Sequence, residues 1–366
     1  MSTVPRAPEN ASRPAALRGR ARPASPARWA IVSASLVVLA AGMHAAATLV
    51  SAVALTVLLA TVLVPLLRAV RRWGLPSWLA TTVVVVPVLG LGALLVFYLM
   101  LSLTQLYEQL PRYAVQLAAA AEQLSLAIWG DSHQLGALVG SVAVRPEQLV
   151  QPAMAVVSGL LDASNNLLLM LFLLLYLCAD AERLPARLGA ALGPDHPLLA
   201  RLRALTASLR DYMLINGAIG LVVALARTAL LLAMGVDFAV LWGVWSLLLT
   251  YVPTVGYPLA LLPPTAIAFV QHGWPSAALV VVGYGVINTL AYNVLMPRYQ
   301  GKSLDLSPFV VVVSLFFWGI VLGAMGALLA VPLTLVLRSI LASSEETRWL
   351  ADLMADASGE PAVDAG

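Results

Sequence analysis

The sequence predicts an all-α membrane protein that crosses the bilayer several times. Apolar residues make up 61% of the 366 residues and charged residues only 11%, whereas a soluble domain is nearer half apolar and a quarter charged. The mean hydropathy is +0.90. A helix needs about 20 apolar residues to cross a hydrocarbon core of about 30 Å. Apolar runs without charge recur at 29–67, 77–103, 164–179, 212–226, 238–271, 273–297 and 306–337.

These runs predict about six full spans, one or two re-entrant or broken-helix hairpins, and an extracytoplasmic amphipathic helical segment. Residues 1–28 contain six arginines and almost no large apolar side chain. We therefore expect a disordered, basic, cytoplasmic tail, because arginine and lysine collect on the cytoplasmic side. Residues 29–103 are predicted to form the first three transmembrane helices. The run 29–67 is too long for one span and is expected to turn near Met43 and His44.

The charges that follow set the predicted orientation of the next segments. Residues 104–163 carry few arginines and several carboxylates, so they are predicted to be extracytoplasmic amphipathic helices, the first ending at Gly130 and Asp131 and the second starting at Pro146. The fourth span, 164–179, leads to an arginine-rich stretch at 180–211. That stretch is predicted to form two amphipathic helices on the cytoplasmic surface, broken at Gly193 and Pro194. A fifth span follows over 212–235.

The stretch YVPTVGYPLALLPP at 251–264 combines four prolines and a glycine with no charge. It lies within 238–271, a run that begins and ends on the predicted outer side. Two full crossings with a turn need more than about 40 residues, so we predict a re-entrant hairpin with its tip at YVPTVGYP. A surface turn between two spans is the alternative. Broken backbone at membrane depth is tolerated where it is buried in protein or lines a water-filled cavity.

A second broken segment is predicted at 306–337, where Gly319, Gly323 and Gly326 precede Pro332. Two short helices joined at the glycines would form another hairpin. One tilted helix, with the C-terminus outside, is the alternative. The transport core would then cover 164–342, and 343–366 would be an acidic C-terminal tail.

Several of these segments resemble the autoinducer-2 exporter family of bacterial permeases over about residues 30–342. YVPTVGYPLALLPP is similar to the family's Pro-Tyr-(Val/Ile)-Gly-Pro stretch, although the second proline comes one place late, at Pro258. VINTLAYNVLMPRYQGKSLDLSP and FFWGIVLGAMGALLAVPL are similar to two later family segments. The resemblance implies a permease of the bacterial inner membrane that exports a small furanosyl signal. Some relatives are linked instead to sodium or proton exchange.

Polar and backbone-breaking residues inside the apolar runs are the candidates for the transport pathway or its hinges. Arg227 is predicted either to face an anion or a gate, or to snorkel to the outer interface. The two asparagines of VINTLAYN either join helices or line the pathway. The candidates are Asn216, Arg227, Tyr251, Pro253, Thr254, Gly256, Tyr257, Pro258, Asn288, Asn293, Pro297, Gly323, Gly326 and Pro332.

No catalytic or metal-binding pattern accompanies these residues. The four histidines have no ligand spacing, the single cysteine excludes an internal disulfide, and RYQGKS lacks the first glycine of a phosphate-binding loop. We therefore predict no enzyme activity, no cofactor, no metal and no nucleic acid partner. The predicted function is secondary transport of a small polar solute without ATP hydrolysis, by a multi-pass protein that forms a homo-oligomer. A coupling ion is left open, and a non-transporting membrane scaffold is the alternative of a different class.

Overall fold

The structure is a computed structural model that describes residues 26–129, 158, 167–180, 183–193, 195–300 and 306–355. The all-α prediction is confirmed, because these residues form helices and contain no strand. The helices are α1 (Pro26–Ala45), α2 (Ala47–Arg71), α3 (Ser77–Trp129), α4 (Leu167–Asp180), α5 (Arg183–Leu192), α6 (Pro197–Ala233), α7 (Ala239–Leu249), α8 (Gly256–His272), α9 (Trp274–Thr289), α10 (Met296–Gln300), α11 (Pro308–Leu328), α12 (Ala330–Leu341) and α13 (Arg348–Leu353).

Five helices in the described part of the chain are long and apolar enough to cross a membrane. They comprise α2, the first part of α3, α6, α9 with its continuation, and α11. Shorter apolar helices occur in α1, α4, α7 and α12. Many large apolar side chains on these helices are exposed, as expected where lipid is the solvent. The protein is therefore a multi-pass membrane protein.

The chain divides into two compact units, with the boundary between Gly42 and Met43. The first unit contains most of α1, an apolar helix with exposed Leu36, Val37 and Val38. α1 ends at Ala45 and α2 begins at Ala47, close to the predicted turn. The remaining helices belong to the second unit.

Two helices run longer than the sequence predicts. α3 continues from its apolar part into the amphipathic part and ends at Trp129, without a break near residue 103. α6 joins the second predicted surface helix to the fifth span in one helix of 37 residues. No glycine or proline occurs from 198 to 216, so nothing in that stretch ends the helix. The predicted break before it does occur, with Gly193 at φ 92°. The predicted helix starting at Pro146 lies outside the described residues.

The interior of the second unit is built from two main apolar clusters. In one, α2, α3 and α4 pack together through residues such as Leu67, Val85 and Leu174, with Cys178 buried among them. In the other, α3, α6, α7, α8 and α9 pack together, with Tyr284 fully buried. The second cluster includes Ala260, and Val252, Tyr257 and Leu259 of the 251–264 stretch pack against it.

The helices α7 and α8 form a hairpin, called the first hairpin below, with its tip at 250–255. The Trp245 Nε1 atom donates a hydrogen bond to the Leu259 carbonyl at 3.1 Å, which ties the two arms together. A Cβ on Gly256 would overlap the Leu249 carbonyl, so the tip requires a glycine at this close approach. Thr254 adopts φ 60°, an uncommon conformation for a residue with a Cβ.

A second hairpin forms where α11 breaks. Gly323 has φ 69° and ψ −153°, so 308–322 is the straight part of α11, and the chain then reverses into α12. The Trp318 Nε1 atom donates to Thr334 Oγ1 at 3.0 Å across the two arms. A Cβ on Gly326 would overlap the Trp318 carbonyl. One continuous helix over 306–337 does not occur.

The tips of the two hairpins contact each other inside the bundle. Tyr251 and Val252 of the first hairpin pack on Met325 and Leu328 of the second. Leu55, within the apolar helix α2, packs on the same residues. Protein thus covers part of both tips, whereas Thr254 and Gly323 are exposed. Broken backbone at membrane depth is tolerated where it is buried in protein or lines a water-filled cavity.

The base of the first hairpin is fixed at Asp237, in the α6–α7 connection. The Tyr113 hydroxyl of α3 donates to Asp237 Oδ2 at 2.8 Å. The Asp237 backbone N–H donates to Gln271 Oε1, at the end of α8, at 3.1 Å. Burial and the neighbouring Asp237 carboxylate raise the pKa of Tyr113, so this hydroxyl stays protonated as a donor at neutral pH.

We expect Tyr113→Phe to destabilise this end of the bundle by about 1 kcal/mol, the usual net contribution of one hydrogen bond. A lower thermal midpoint of the purified protein would show it. Tyr107→Phe is the matched control, because Tyr107 lies on the same helix and is 67% exposed. Equal midpoints for the two variants would show that the Tyr113 hydrogen bond does not hold the base.

Candidate functional site

Arg227 is a buried cation in the apolar helix α6, with a side chain only 3% exposed. Its Nη1 donates to Ser246 Oγ on α7. Its Nη2 donates to Asn288 Oδ1 on α9 at 3.2 Å. The side chain therefore lies among neighbouring helices and does not snorkel along α6. One guanidinium connects three helices.

Small residues bring these helices close enough for those contacts. A Cβ on Gly243 would overlap Thr228 Oγ1, and one on Gly283 would overlap the Leu230 side chain. The two glycines therefore let α7 and α9 approach α6 closely, as small residues do between membrane helices. As a result, Ser246 and Asn288 reach Arg227 from two different helices.

Two tyrosine rings flank the same guanidinium. The Arg227 Cζ atom lies 4.7 Å from the ring centroid of Tyr284 and 5.5 Å from that of Tyr257. Both distances are within the range of cation–π attraction. The rings partly compensate the charge, but neither carries a formal negative charge. The Tyr284 hydroxyl is buried without a hydrogen-bond partner among the described residues.

A cavity of about 320 Å³ opens beside Arg227. Its wall is formed by the tip of the first hairpin together with α6, α7 and α9. The polar groups of the wall are mostly neutral, and these neutral groups are hydroxyls and one amide. The lining residues are Arg227, Ser246, Leu249, Thr250, Val252, Pro253, Thr254, Gly256, Tyr257, Asn288 and Tyr292. No carboxylate is among them. The described residues also contain no group of three or more His, Cys, Asp and Glu side chains that could hold a metal ion.

The helix after Asn288 widens into a π-helical segment over Leu290–Leu295. Pro297 follows, and its ring would clash with the carbonyl of Asn293 in a regular helix. The proline thus gives a local reason for the wider turn, a feature often found at functional sites. Tyr292 in this segment lines the cavity, whereas Asn293 is exposed.

The cavity brings together Arg227, Pro253, Thr254, Gly256, Tyr257 and Asn288 of the residues singled out in the sequence. Tyr251 lies at the same tip and donates to the Met213 carbonyl at 3.4 Å. Asn216 is buried on α6, and Pro258 and Pro297 are exposed. Gly323, Gly326 and Pro332 belong to the second hairpin, outside the cavity wall.

Sequence reasoning missed Ser246, Thr250, Tyr284 and Tyr292. Ser246 is the only hydroxyl-bearing residue of α7, so a polar residue in an otherwise apolar helix was the available signal. The tyrosines gave no such signal, because aromatic residues are common in apolar helices. Their position near Arg227 depends on the packing of α9 against α6.

A multi-pass helical protein with a polar cavity at the tip of a broken hairpin has the architecture of a membrane transporter. The chain belongs to the AI-2E family of transporters, whose sequence profile, described as "AI-2E family transporter", matches residues 34–346. This match confirms the family resemblance seen in the sequence.

Several similar proteins carry names that agree with this assignment. The chain is 31% identical to "AI-2 transport protein TqsA" of Escherichia coli over 90% of this chain and 96% of that protein. It is 30% identical to "Putative transport protein YhhT" of E. coli over 83% and 87% of the two chains. A "Putative transport protein" of Haemophilus influenzae is 26% identical over 88% and 94%.

We expect a cysteine at Thr254, in a Cys178-free background, to react readily with small hydrophilic thiol reagents and slowly with bulky ones. Thr254 is exposed within the cavity wall, and the cavity is small. Labelling rates with two reagents of the same chemistry and different size provide the measurement. A cysteine at Phe316, which is 62% exposed on an apolar helix, is the control facing lipid. Rapid labelling of Thr254→Cys by the bulky reagent would indicate a surface loop.

Proposed function

We propose that this protein is a secondary transporter that exports a small polar solute without ATP hydrolysis. The proposal rests on the cavity beside Arg227. There the first hairpin, α6 and α9 enclose neutral hydroxyl and amide groups and one cation. Such cavities at helix breaks commonly hold the solute in secondary transporters. The volume, about 320 Å³, is at the lower end of ligand pockets and suits a small solute.

An autoinducer-2-like signal is the first solute to test. One relative, 31% identical, is named an AI-2 transport protein, and the cavity offers hydroxyl and amide groups to a polyhydroxylated molecule. The experiment is release of labelled autoinducer-2 from proteoliposomes that contain the purified protein. Release above that of empty liposomes, and without ATP, is expected. No release of autoinducer-2 or of a panel of small polar metabolites would contradict the transporter proposal.

A sodium or proton antiporter is the alternative within the family. Cation exchange usually involves a carboxylate in the pathway, and the described residues place none in the cavity wall. Asp211 pairs with Arg210 at 3.0 Å, and Asp237 binds Tyr113 at the hairpin base. The cavity therefore favours transport of a solute over cation exchange. A pH-sensitive dye in the same proteoliposomes would reveal exchange driven by a sodium gradient.

We also propose that the protein lies in the bacterial inner membrane with its N-terminus in the cytoplasm. The support is the distribution of arginine along the chain. Cysteines at Asp131 and Arg203, in a Cys178-free background, should be labelled from opposite sides by an impermeant reagent. Labelling from the same side would show that this topology is wrong.

A further inference from the structure

The Arg227 guanidinium keeps hydrogen-bonding capacity that its protein partners do not use. An arginine side chain carries five N–H groups, and its hydrogen bonds to Ser246 and Asn288 use two of them. Its Nε is buried and has no partner among the described residues. Three N–H donors of this planar cation therefore remain for another acceptor.

The positive charge also lacks a negative partner. In the described part of the chain, no Asp or Glu oxygen lies within ion-pair distance of Arg227. Its contacts are a hydroxyl, an amide oxygen and two tyrosine rings. A guanidinium stays charged in proteins, and a buried charge is costly unless it is paired. An uncompensated charge at this depth is expected to attract an anion.

The first hairpin adds a second source of positive potential to the same cavity. α8 is 17 residues long and begins at Gly256, whose N–H donates to the Val252 carbonyl at 3.0 Å. The N-cap residue Val255 is apolar and provides no side-chain cap. Gly256 and Tyr257, the first two residues of α8, both line the cavity. The N-terminus of a helix carries about half a positive charge and favours anions. Half-helix N-termini in broken transporter helices commonly face anionic groups of the solute.

Building on the proposed transport function, we infer that this cavity binds a small organic monoanion through a carboxylate placed against Arg227. The single positive charge of Arg227 is balanced by a single negative charge on the ligand. The planar guanidinium can form two parallel hydrogen bonds with a planar carboxylate. Thr250 and Thr254 donate their hydroxyl hydrogens to the Ser246 and Pro253 carbonyls. Their hydroxyl oxygens, with the Tyr292 hydroxyl, can then accept from hydroxyl groups on the rest of the molecule. No carboxylate lines the cavity in the described part of the chain, so no lining residue described there repels a bound anion.

The test compares a small acid with its amide, which have nearly the same shape and differ in charge. Purified full-length protein in detergent is incubated with lactate or lactamide, with sodium lactate replacing sodium chloride at constant sodium concentration. The thermal midpoint and the labelling rate of a Thr254→Cys variant in a Cys178-free background are both measured. We expect lactate to raise the midpoint and to slow labelling at least about threefold, whereas lactamide changes neither.

Variants of Arg227 then test whether the guanidinium is responsible for the response to lactate. Arg227→Gln should lose the response to lactate, and Arg227→Lys should keep part of it, because lysine retains the charge without the planar fork. Arg201→Gln, the same substitution at an exposed position of α6 outside the cavity wall, should respond as the parent does. Equal responses to lactate and lactamide in the parent protein would overturn the inference, even if Arg227→Gln did not fold.

This binding assay is independent of transport. Lactate protection without any solute release from proteoliposomes would support the anion site and contradict the proposed transport. Release of neutral solutes with no protection by lactate would support transport and contradict the anion site.

Discussion

Replacing Arg227 with alanine is expected to lower solute flux at least about tenfold, a loss of about 1.4 kcal/mol in interaction free energy. The side chain fixes α6 to Ser246 of α7 and to Asn288 of α9, and among the described residues it supplies the one cation of the cavity wall. Arg227→Lys should retain part of the flux, because the charge remains while the bidentate geometry is lost. Flux per inserted protein in proteoliposomes gives the comparison.

The control for this prediction must separate a loss of function from a loss of folding. Ser246→Ala removes one partner of the guanidinium and leaves its charge in place, so it should reduce flux less than Arg227→Ala does. The amounts of inserted protein and the thermal midpoints should be measured for all three variants. If Arg227→Ala and Arg227→Lys transport like the parent, the guanidinium has only a structural role.

Gly256→Leu is expected to reduce flux at least about tenfold while the protein still inserts in the membrane. A Cβ at this position would overlap the Leu249 carbonyl, so the tip of the first hairpin must shift. That shift would displace Thr254 and Tyr257 from the cavity wall. Overpacking of this kind usually costs about 1–3 kcal/mol, so a lower thermal midpoint should accompany the loss of flux.

Gly92→Leu is the matched control, because Gly92 lies in an apolar helix where an added Cβ would meet nothing within 4 Å. It makes the same change in side-chain volume at an exposed site. We expect flux and midpoint close to those of the parent. Parental flux in Gly256→Leu would mean that the close approach at the tip is not needed for transport.

The helix breaks could be predicted from the sequence because their causes are local. Glycine and proline change the backbone wherever they occur, and the chain does turn at 250–255 and reverses at Gly323. The lengths of α3 and α6 could not be predicted in the same way. A change from apolar to amphipathic composition marks the edge of the bilayer, but it does not end a helix.

The composition of the cavity depends on tertiary packing. Arg227 and Asn288 are 61 positions apart, and each gave a signal as a polar residue in an apolar run. Their contact depends on the close approach of α9 to α6 at Gly283, which no local pattern specifies. Tyr284 gave no signal at all, because only its position beside the guanidinium distinguishes it from other buried aromatic residues.

The contact between the two hairpin tips has a mechanical consequence. Tyr251 and Val252 rest on Met325 and Leu328, so neither tip can move away without opening a void beside the other. A void in a packed interior forfeits dispersion attraction on both sides. Displacement of the first tip is therefore resisted by the second hairpin, although that hairpin contributes no side chain to the cavity. The packing of the second hairpin therefore helps to fix the position of the first tip, whose residues Pro253 and Thr254 line the cavity beside Arg227.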